Sequence, residues 1–195
     1  MKIGLILGST RKVRRGERVA KWLMGQLALI KDAEFELLDL RDYPLPFYAE
    51  DNSPDSLENG YSDPVATKWA GKIGEMDAFI LIVSEYNHGP TAVLKNALDY
   101  VYNEWNRKPV AFVGYATGAS GAMRAVEQLR SIVSELQMAP VQAAIHMSSV
   151  LSTLDEQGNL LKGHYNERVV VVMEELLWWA NALKTAREKT PKSEK

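Results

Sequence analysis

Ile3-Gly4-Leu5-Ile6-Leu7 opens the chain, and Gly8-Ser9-Thr10-Arg11-Lys12-Val13-Arg14-Arg15-Gly16-Glu17-Arg18 follows it. The first stretch is an almost unbroken apolar run, the mark of a strand buried on both faces. After the second, Val19, Trp22, Leu23, Leu27 and Ile30 recur at helical spacing. A buried strand therefore feeds a loop of glycine, hydroxyls and arginine, and that loop feeds a helix. The first amides of a helix have no partners inside it and carry partial positive charge, which suits an anion. Ser9 and Thr10 add hydroxyl donors, and arginine adds a planar fork suited to phosphate. The expectation is a phosphate-binding loop.

Downstream, the same alternation repeats. Glu34–Leu40 reads as a second strand. The segment from Arg41 through Tyr48 to Gly60 carries prolines and aromatics and reads as a long ordered loop, of the kind that serves function or subunit contacts. Asp63-Pro64 is a helix start, an N-cap followed by proline, and apolar spacing carries that helix over 64–75. Ala78–Val83 is a continuously apolar strand that runs into Ser84–Pro90, where Pro90 is expected to restart a helix. Pro109–Val113 is a fourth strand, entering Gly114–Gly121 and then a helix marked by Ala122, Val126, Leu129, Val133 and Leu136. Pro140–Ile145 is a short fifth strand. Residues 146–165 show no clear pattern beyond a turn at Asp155–Asn159. A helix is expected over 164–188, although Val169–Val172 alone has strand character. Apolar residues on several of its faces, including Trp178 and Trp179, point to burial on more than one side.

Alternating strands and helices predict a parallel sheet, and right-handed crossovers make 2-1-3-4-5 the natural order, the flavodoxin-like doubly wound fold with helices on both faces. We expect one domain over 1–188 and a polar tail over 189–195.

Composition narrows the function. A net charge of −2 gives no pull towards nucleic acid or an anionic membrane, so neither is expected as a partner. No apolar run approaches a membrane span. The start Met1-Lys2-Ile3 does not make a signal peptide, and a cytoplasmic protein is expected. The chain has no cysteine, which excludes disulfides, thiolate nucleophiles and low-molecular-weight phosphatases of this architecture. His88, His146 and His164 lack ligand spacing, so no metal is expected.

In this fold, ligands sit beyond the carboxyl ends of the strands where strand order reverses. That rule gathers Gly8–Arg18, Ser84–Pro90 and Gly114–Gly121. The first supplies cations and N–H groups, the second an aromatic, an amide and a carboxylate. The third is glycine-rich, so its backbone can approach a flat ligand closely. A phosphate at one end and a planar heteroaromatic at the other describe FMN, which occupies this position in flavodoxin itself; taken singly, Lys12, Arg14 and Arg15 read equally as a solvated loop, Tyr86-Asn87 as turn residues and Gly114–Gly121 as a strand-to-helix turn. The first loop lacks the G-x-G-x-x-G of dinucleotide binding, and no Walker A sequence occurs. A receiver domain would want aspartate where Ser84-Glu85 stands.

Gly8-Ser9-Thr10-Arg11 with Arg15-Gly16, Glu85-Tyr86-Asn87-His88 with Leu94-Lys95-Asn96-Ala97-Leu98-Asp99, Glu104–Val110 and Arg124–Arg130 together resemble the NAD(P)H-dependent FMN reductase family, flavodoxin-like proteins that include small quinone and azo reductases. The resemblance runs from residue 1 to residue 145. Many members have proline where this chain has Ser84. The resemblance implies that NADPH or NADH gives hydride to bound FMN, leaves, and is replaced by a small-molecule electron acceptor. It implies that Ser9, Arg11, Arg15, Gly16, Glu17 (through its N–H) and Arg18 surround the phosphate. Glu85, Tyr86, Asn87 and His88 would pack along the ring. Thr117, Gly118, Ala119, Ser120 and Gly121 would offer N–H groups to its pyrimidine end, where reduction collects negative charge. No acid–base residue is assigned. Lys95-Asn96 would either brace the second loop or form a polar helix face. Trp105 would either line an interface, the favoured reading, or cap the core. The family also implies a homodimer or homotetramer, with the Tyr43–Tyr48 loop reaching the partner's flavin. An FMN-binding electron carrier is the alternative, but such carriers are usually strongly acidic and a net charge of −2 speaks against it. A regulator that binds a phosphate metabolite without flavin is a third, weaker reading.

Overall fold

Strand β1 (Lys2–Leu7) lies between β2 (Glu34–Asp39) and β3 (Ala78–Ser84), and β4 (Pro109–Tyr115) and β5 (Ala139–Met147) extend the sheet beyond β3. All pairings are parallel, so the order is 2-1-3-4-5 as expected. This is a computed structural model, and it describes residues 1–57 and 60–190. The helices are α1 (Gly16–Leu27), α2 (Pro64–Glu75), α3 (Ala92–Asp99), α4 (Met123–Glu135), the short α5 (Val150–Thr153) and α6 (Tyr165–Lys189).

The sheet separates two cores, and alternation along each strand decides which residue enters which. On β3, Phe79, Leu81 and Val83 face α2, α3 and α4, while Ala78, Ile80 and Ile82 face α1 and α6. On β4, Val110 and Phe112 take the first side, and Ala111, Val113 and Tyr115 the second. Burial on both sides is why these strands read as unbroken apolar runs.

Several boundaries differ from expectation. Helix α3 starts at Ala92 because Thr91, not Pro90, is its cap: the Thr91 hydroxyl accepts from Leu94 N at 3.3 Å and donates to the Gly8 carbonyl. Strand β5 runs on to Met147, and the unassigned segment after it contains α5 and a turn in which Asp155 accepts from the amides of Gln157 and Asn159. The Val169–Val172 run is helical. Val169 and Val172 join Met173, Leu176 and Ala180 in a buried stripe, leaving Val170, Val171 and Trp178 exposed. Among its described residues, the long loop after β2 holds one 3-10 turn, at Pro54–Ser56; residues 58 and 59 lie outside the described residues. Of the expected tail, residue 189 is helical and 191–195 lie outside the described residues.

Trp105 also departs from expectation. It is fully buried, edge-on to Phe79 at 4.9 Å and to Trp69 at 6.1 Å, and its indole N–H donates to the Leu98 carbonyl at 3.1 Å. An indole whose one polar atom is satisfied inside the protein belongs to the core, not to a contact between subunits.

One ion pair ties the sheet to the first loop. Arg14, its side chain only 5% exposed, reaches Asp39 at the end of β2 with both terminal nitrogens, one at 2.6 Å, and donates to the Ser9 carbonyl at 3.0 Å. Its Nε is buried without a hydrogen-bond partner, with the Glu17 carboxylate 3.8 Å away. Burial alone would raise the Asp39 pKa, but the Arg14 guanidinium and the Arg41 amide hold it below the usual carboxylate value.

Two predictions follow from these contacts. Trp105→Ala should lower unfolding stability by about 3–5 kcal/mol, the cost of emptying a large core site. A urea titration showing little loss, together with an altered molecular mass in solution, would return Trp105 to an interface. Asp39→Asn leaves a buried guanidinium without its counter-charge, so about 3 kcal/mol should be lost at neutral pH, near the low end for breaking a buried pair. Because the folded carboxyl is depressed, its contribution is present above an unfolded-state pKa of about 4 and fades as pH falls through the folded value. Stability curves of mutant and wild type should therefore converge in acid, and a constant gap across pH would show that charge is not the cause.

Candidate active site

The carboxyl ends of β1, β3 and β4 release the three loops singled out in the sequence, and each helix start there is treated differently. The first loop leaves β1 with the Gly8 amide donating to the Ile82 carbonyl at 3.1 Å. From the β2 side, Arg41 donates to the carbonyls of Arg11 and Lys12. Ser9 is 2% exposed at the base of this loop. Helix α1 then begins at Gly16 with no side chain capping it. Gly16 cannot be replaced by a larger residue without movement: an added Cβ would lie 2.5 Å from the Tyr115 hydroxyl and 2.8 Å from Leu7.

The second loop is a tight turn. Tyr86 and Gly89 exchange backbone hydrogen bonds at 2.9 and 3.0 Å around Asn87 and His88, whose φ values are +49° and +71°. Positive φ at both central residues is the type I′ pattern, which asparagine tolerates better than most residues. The turn is latched to α4. Glu85 accepts from the Arg124 and Ala125 amides and from the Arg124 guanidinium at 2.8 Å. His88 Nε2 lies 2.6 Å from Arg124 Nη1, and Gln128 donates to the His88 carbonyl at 2.9 Å. Burial works to raise the Glu85 pKa, yet the Arg124 guanidinium and the α4 amides hold it below the carboxylate range. Glu85 therefore caps a helix, and its carboxylate is committed before any ligand arrives.

The third loop runs from Ala116 to Gly121. Its backbone is fixed from β5 and α5: Ala116 donates to Met147, and Ser149 and Val150 donate back to Gly118 and Ala116, each at 3.0 Å. Gly121, at φ +56°, lies so close to His146 that an added Cβ would sit 2.6 Å from its carbonyl carbon. Thr117, Gly118 and Ala119 are exposed on top.

Between the loops lies a polar cavity of about 320 Å³. Of the expected residues, it brings together Ser9, Arg11, Arg15, Glu85, Tyr86, Asn87 and Thr117. Gly16 lies beneath, against Tyr115, and the Glu17 side chain turns towards Lys21 and Arg14. His88 serves the latch, and Gly118, Ala119, Ser120 and Gly121 stand outside the cavity lining. Arg18 corrects the expectation outright. Lying further into α1, it points to the opposite side, where its guanidinium meets Glu156 at 3.1 Å and the Leu154 carbonyl at 3.2 Å. Its own N–H is taken by the Arg15 carbonyl. Lys95 pairs with Asp99 on the surface, whereas Asn96 braces the loop after β2 rather than the one after β3.

The cavity also contains residues not selected from the sequence. Arg14, Ser84, Tyr115 and Ala116 line it. Tyr115 is the last residue of β4 and is 3% exposed. Burial raises its pKa, while hydrogen bonding with Ser84 and Ser9 opposes the rise. Strand alternation through Ala111 and Val113 was the available signal for where Tyr115 points.

The donors suit a phosphate ester with a polar chain. The first amides of α3 and α4 are capped by Thr91 and Glu85, but those of α1 meet no side chain. Arg11 and Arg15 have no carboxylate within ion-pair distance among the described residues. Open amides beside unpaired guanidinium groups are the chemistry of an anion site. Among the described residues, no three His, Asp or Glu side chains are grouped to hold a metal, and no helix is long and apolar enough to cross a membrane.

Comparison with known proteins agrees with this geometry. The family model described as NADPH-dependent FMN reductase matches residues 1–151. An NAD(P)H-dependent FMN reductase of Schizosaccharomyces pombe is 34% identical over 146 residues, covering 74% of this chain and 72% of the relative. A 2-hydroxy-1,4-benzoquinone reductase of Burkholderia is 26% identical over 185 residues, covering 92% of this chain and 96% of that protein. Among solved structures, the NAD(P)H:acceptor oxidoreductase FerB of Paracoccus denitrificans superposes with a TM-score of 0.72 at 20% identity, over 94% of this chain and 97% of its own. With the family matched across most of its length and the anion loop built as described, the chain belongs to the NADPH-dependent FMN reductase family.

Proposed function

We propose that this protein is an FMN-dependent oxidoreductase that passes hydride from NADPH or NADH to a small-molecule acceptor such as a quinone, an azo compound or free flavin. The observation that carries the reading is the uncapped start of α1 beside Ser9 and Arg15, opening into a polar cavity walled by Tyr86. The relatives named as FMN reductases and as a quinone reductase support it over a carrier that would accept electrons only from a protein.

On this reading the Gly16 and Glu17 amides, Arg15 and the Ser9 hydroxyl hold the phosphate. Tyr115, fixed under Gly16, keeps the floor of the site closed to water. Asn87 and Tyr86 stand along the cavity towards Thr117, where a flat ring system is accommodated. FMN supplies the two-electron chemistry once bound. The protein's part is to orient the ring, expose one side of it and offer backbone donors where negative charge gathers. A protein that consumes NAD(P)H fits the cytoplasm. Exposed Trp178, Val170 and Val171 on α6 support assembly into a homodimer or homotetramer.

The decisive measurement is a flavin titration followed by anaerobic addition of each nicotinamide. The protein should take up FMN and bleach at once with NADPH or NADH, and a protein that binds no flavin would refute the reading. Arg15→Ala should weaken FMN by about 1.5–3 kcal/mol, the range for a hydrogen bond to a charged group. Its affinity for riboflavin, which lacks the phosphate, should be unchanged. Equal losses for both ligands would remove Arg15 from the phosphate.

A further inference from the structure

Lys108 stands just ahead of β4, at the end of the sheet away from the three loops and roughly 20 Å from the polar cavity, the length of that strand. It is 7% exposed, and the reaction proposed above does not use it. Its Nζ donates to the carbonyls of Ile73 and Gly74 at 2.8 and 3.1 Å, in the last turn of α2. Among the described residues, no carboxylate lies within ion-pair distance of it. The two acidic groups that face it are engaged elsewhere. Asp77 accepts from the Lys2 amide and from the side chains of Lys184 and Arg187, and the Tyr61 hydroxyl lies 3.1 Å from both Glu104 oxygens.

An ammonium group has three protons to place, whereas the neutral amine keeps two and gains a lone pair. The two α2 carbonyls take two protons, so this environment satisfies neutral Lys108 in full and leaves its lone pair unused. Burial, helped by the Arg187 guanidinium, lowers the Lys108 pKa to about 8 against the pull of Asp77 and Glu104. At pH 7.4 that leaves about one Lys108 in five as free amine, against about one in a thousand for a lysine at its ordinary value. Desolvation beside a second cation is one of the ways in which a lysine becomes a nucleophile.

Lys108 also lines a cavity of about 260 Å³, whose other walls include Gly74, Arg107 and Arg187. Arg187 is held there by Asp77 and by the Arg107 carbonyl. Arg107 is exposed and uses one guanidinium nitrogen on the Thr190 carbonyl at 3.2 Å. The rest of its planar fork suits a phosphate. We propose that Lys108 is a site of covalent acylation by small acyl phosphates, with Arg107 receiving the phosphate while Nζ attacks the acyl carbon. The N–C bond forms as the bond from that carbon to the phosphate oxygen breaks. Phosphate leaves with the electron pair, and the proton lost from nitrogen passes to water. The product is an uncharged amide with a single N–H, so one of the two α2 carbonyls loses its partner. Nothing in this step depends on the flavin.

Acetyl phosphate is the probe, and acetylation at each lysine is followed by peptide mass spectrometry on the protein as purified. Labelling is kept below one acetyl group per chain, so that it does not itself unfold the protein. At pH 7.5 Lys108 should react roughly tenfold faster than the exposed Lys31 and Lys162, its larger free-amine fraction being partly offset by lower basicity and narrower access. Its rate should level off above about pH 8, while theirs keep rising. Arg107→Ala should slow acetylation of Lys108 by acetyl phosphate roughly threefold and leave its reaction with the uncharged N-hydroxysuccinimide acetate within about twofold, as expected for an exposed charge that meets only the anionic reagent. A Lys108 that stays unmodified while the exposed lysines react would overturn the proposal. So would a Lys108 rate that climbs with pH in parallel with theirs, or an Arg107→Ala variant that treats the two reagents alike.

Discussion

The Arg14–Asp39 ion pair is the contact on which the anion loop depends. A guanidinium buried to this degree is tolerable only with its counter-charge in place. The counter-charge stands on β2 while the arginine stands at the approach to α1, so the sheet itself sets where α1 begins. The same side chain holds the Ser9 carbonyl at the base of the loop. An anion site made from helix amides works only if the helix cannot shift away from its ligand, and this pair, together with Arg41 across the loop carbonyls, removes that freedom.

The three loops at the sheet edge solve one problem in three ways. Every helix start has amides without partners. Thr91 closes those of α3 from within its own turn, and Glu85 closes those of α4 from a neighbouring loop. Only α1, of these three, leaves them open. What distinguishes the three is what is left unsatisfied, and the carboxylate of Glu85 fills the α4 amides while it holds the turn.

How much of this could be read from the chain depended on whether the signal was local. Sheet order and the sequence of strands and helices followed from alternation and chirality, and they hold, although β5, read as short, is the longest strand. Helix α2 was legible to the residue because Asp63-Pro64 is a local cap. The start of α3 was missed by two residues because Pro90 suggested a nearer start than Thr91 provides. Arg18 and Trp105 were misread for a different reason. Each is defined by a partner far away in sequence, Glu156 for one and Phe79 for the other, and no periodicity reveals such a partner. Arg14 was visible only as one basic residue among several until Asp39 was found beside it.

The far side of α1 adds something the family match does not contain. Arg18 and Lys21 reach the segment 154–156, and the Trp22 indole donates to Asn166 at 2.8 Å. At Gly158, an added Cβ would lie 2.7 Å from the Trp22 amide. These partners all follow residue 151, where the family resemblance by sequence model stops. The helix whose first amides stand open is therefore clasped from behind by chain that lies beyond the family match. Opening of that C-terminal segment would remove the contacts behind α1, so a ligand bound at the helix start should also protect the backbone packed against its back.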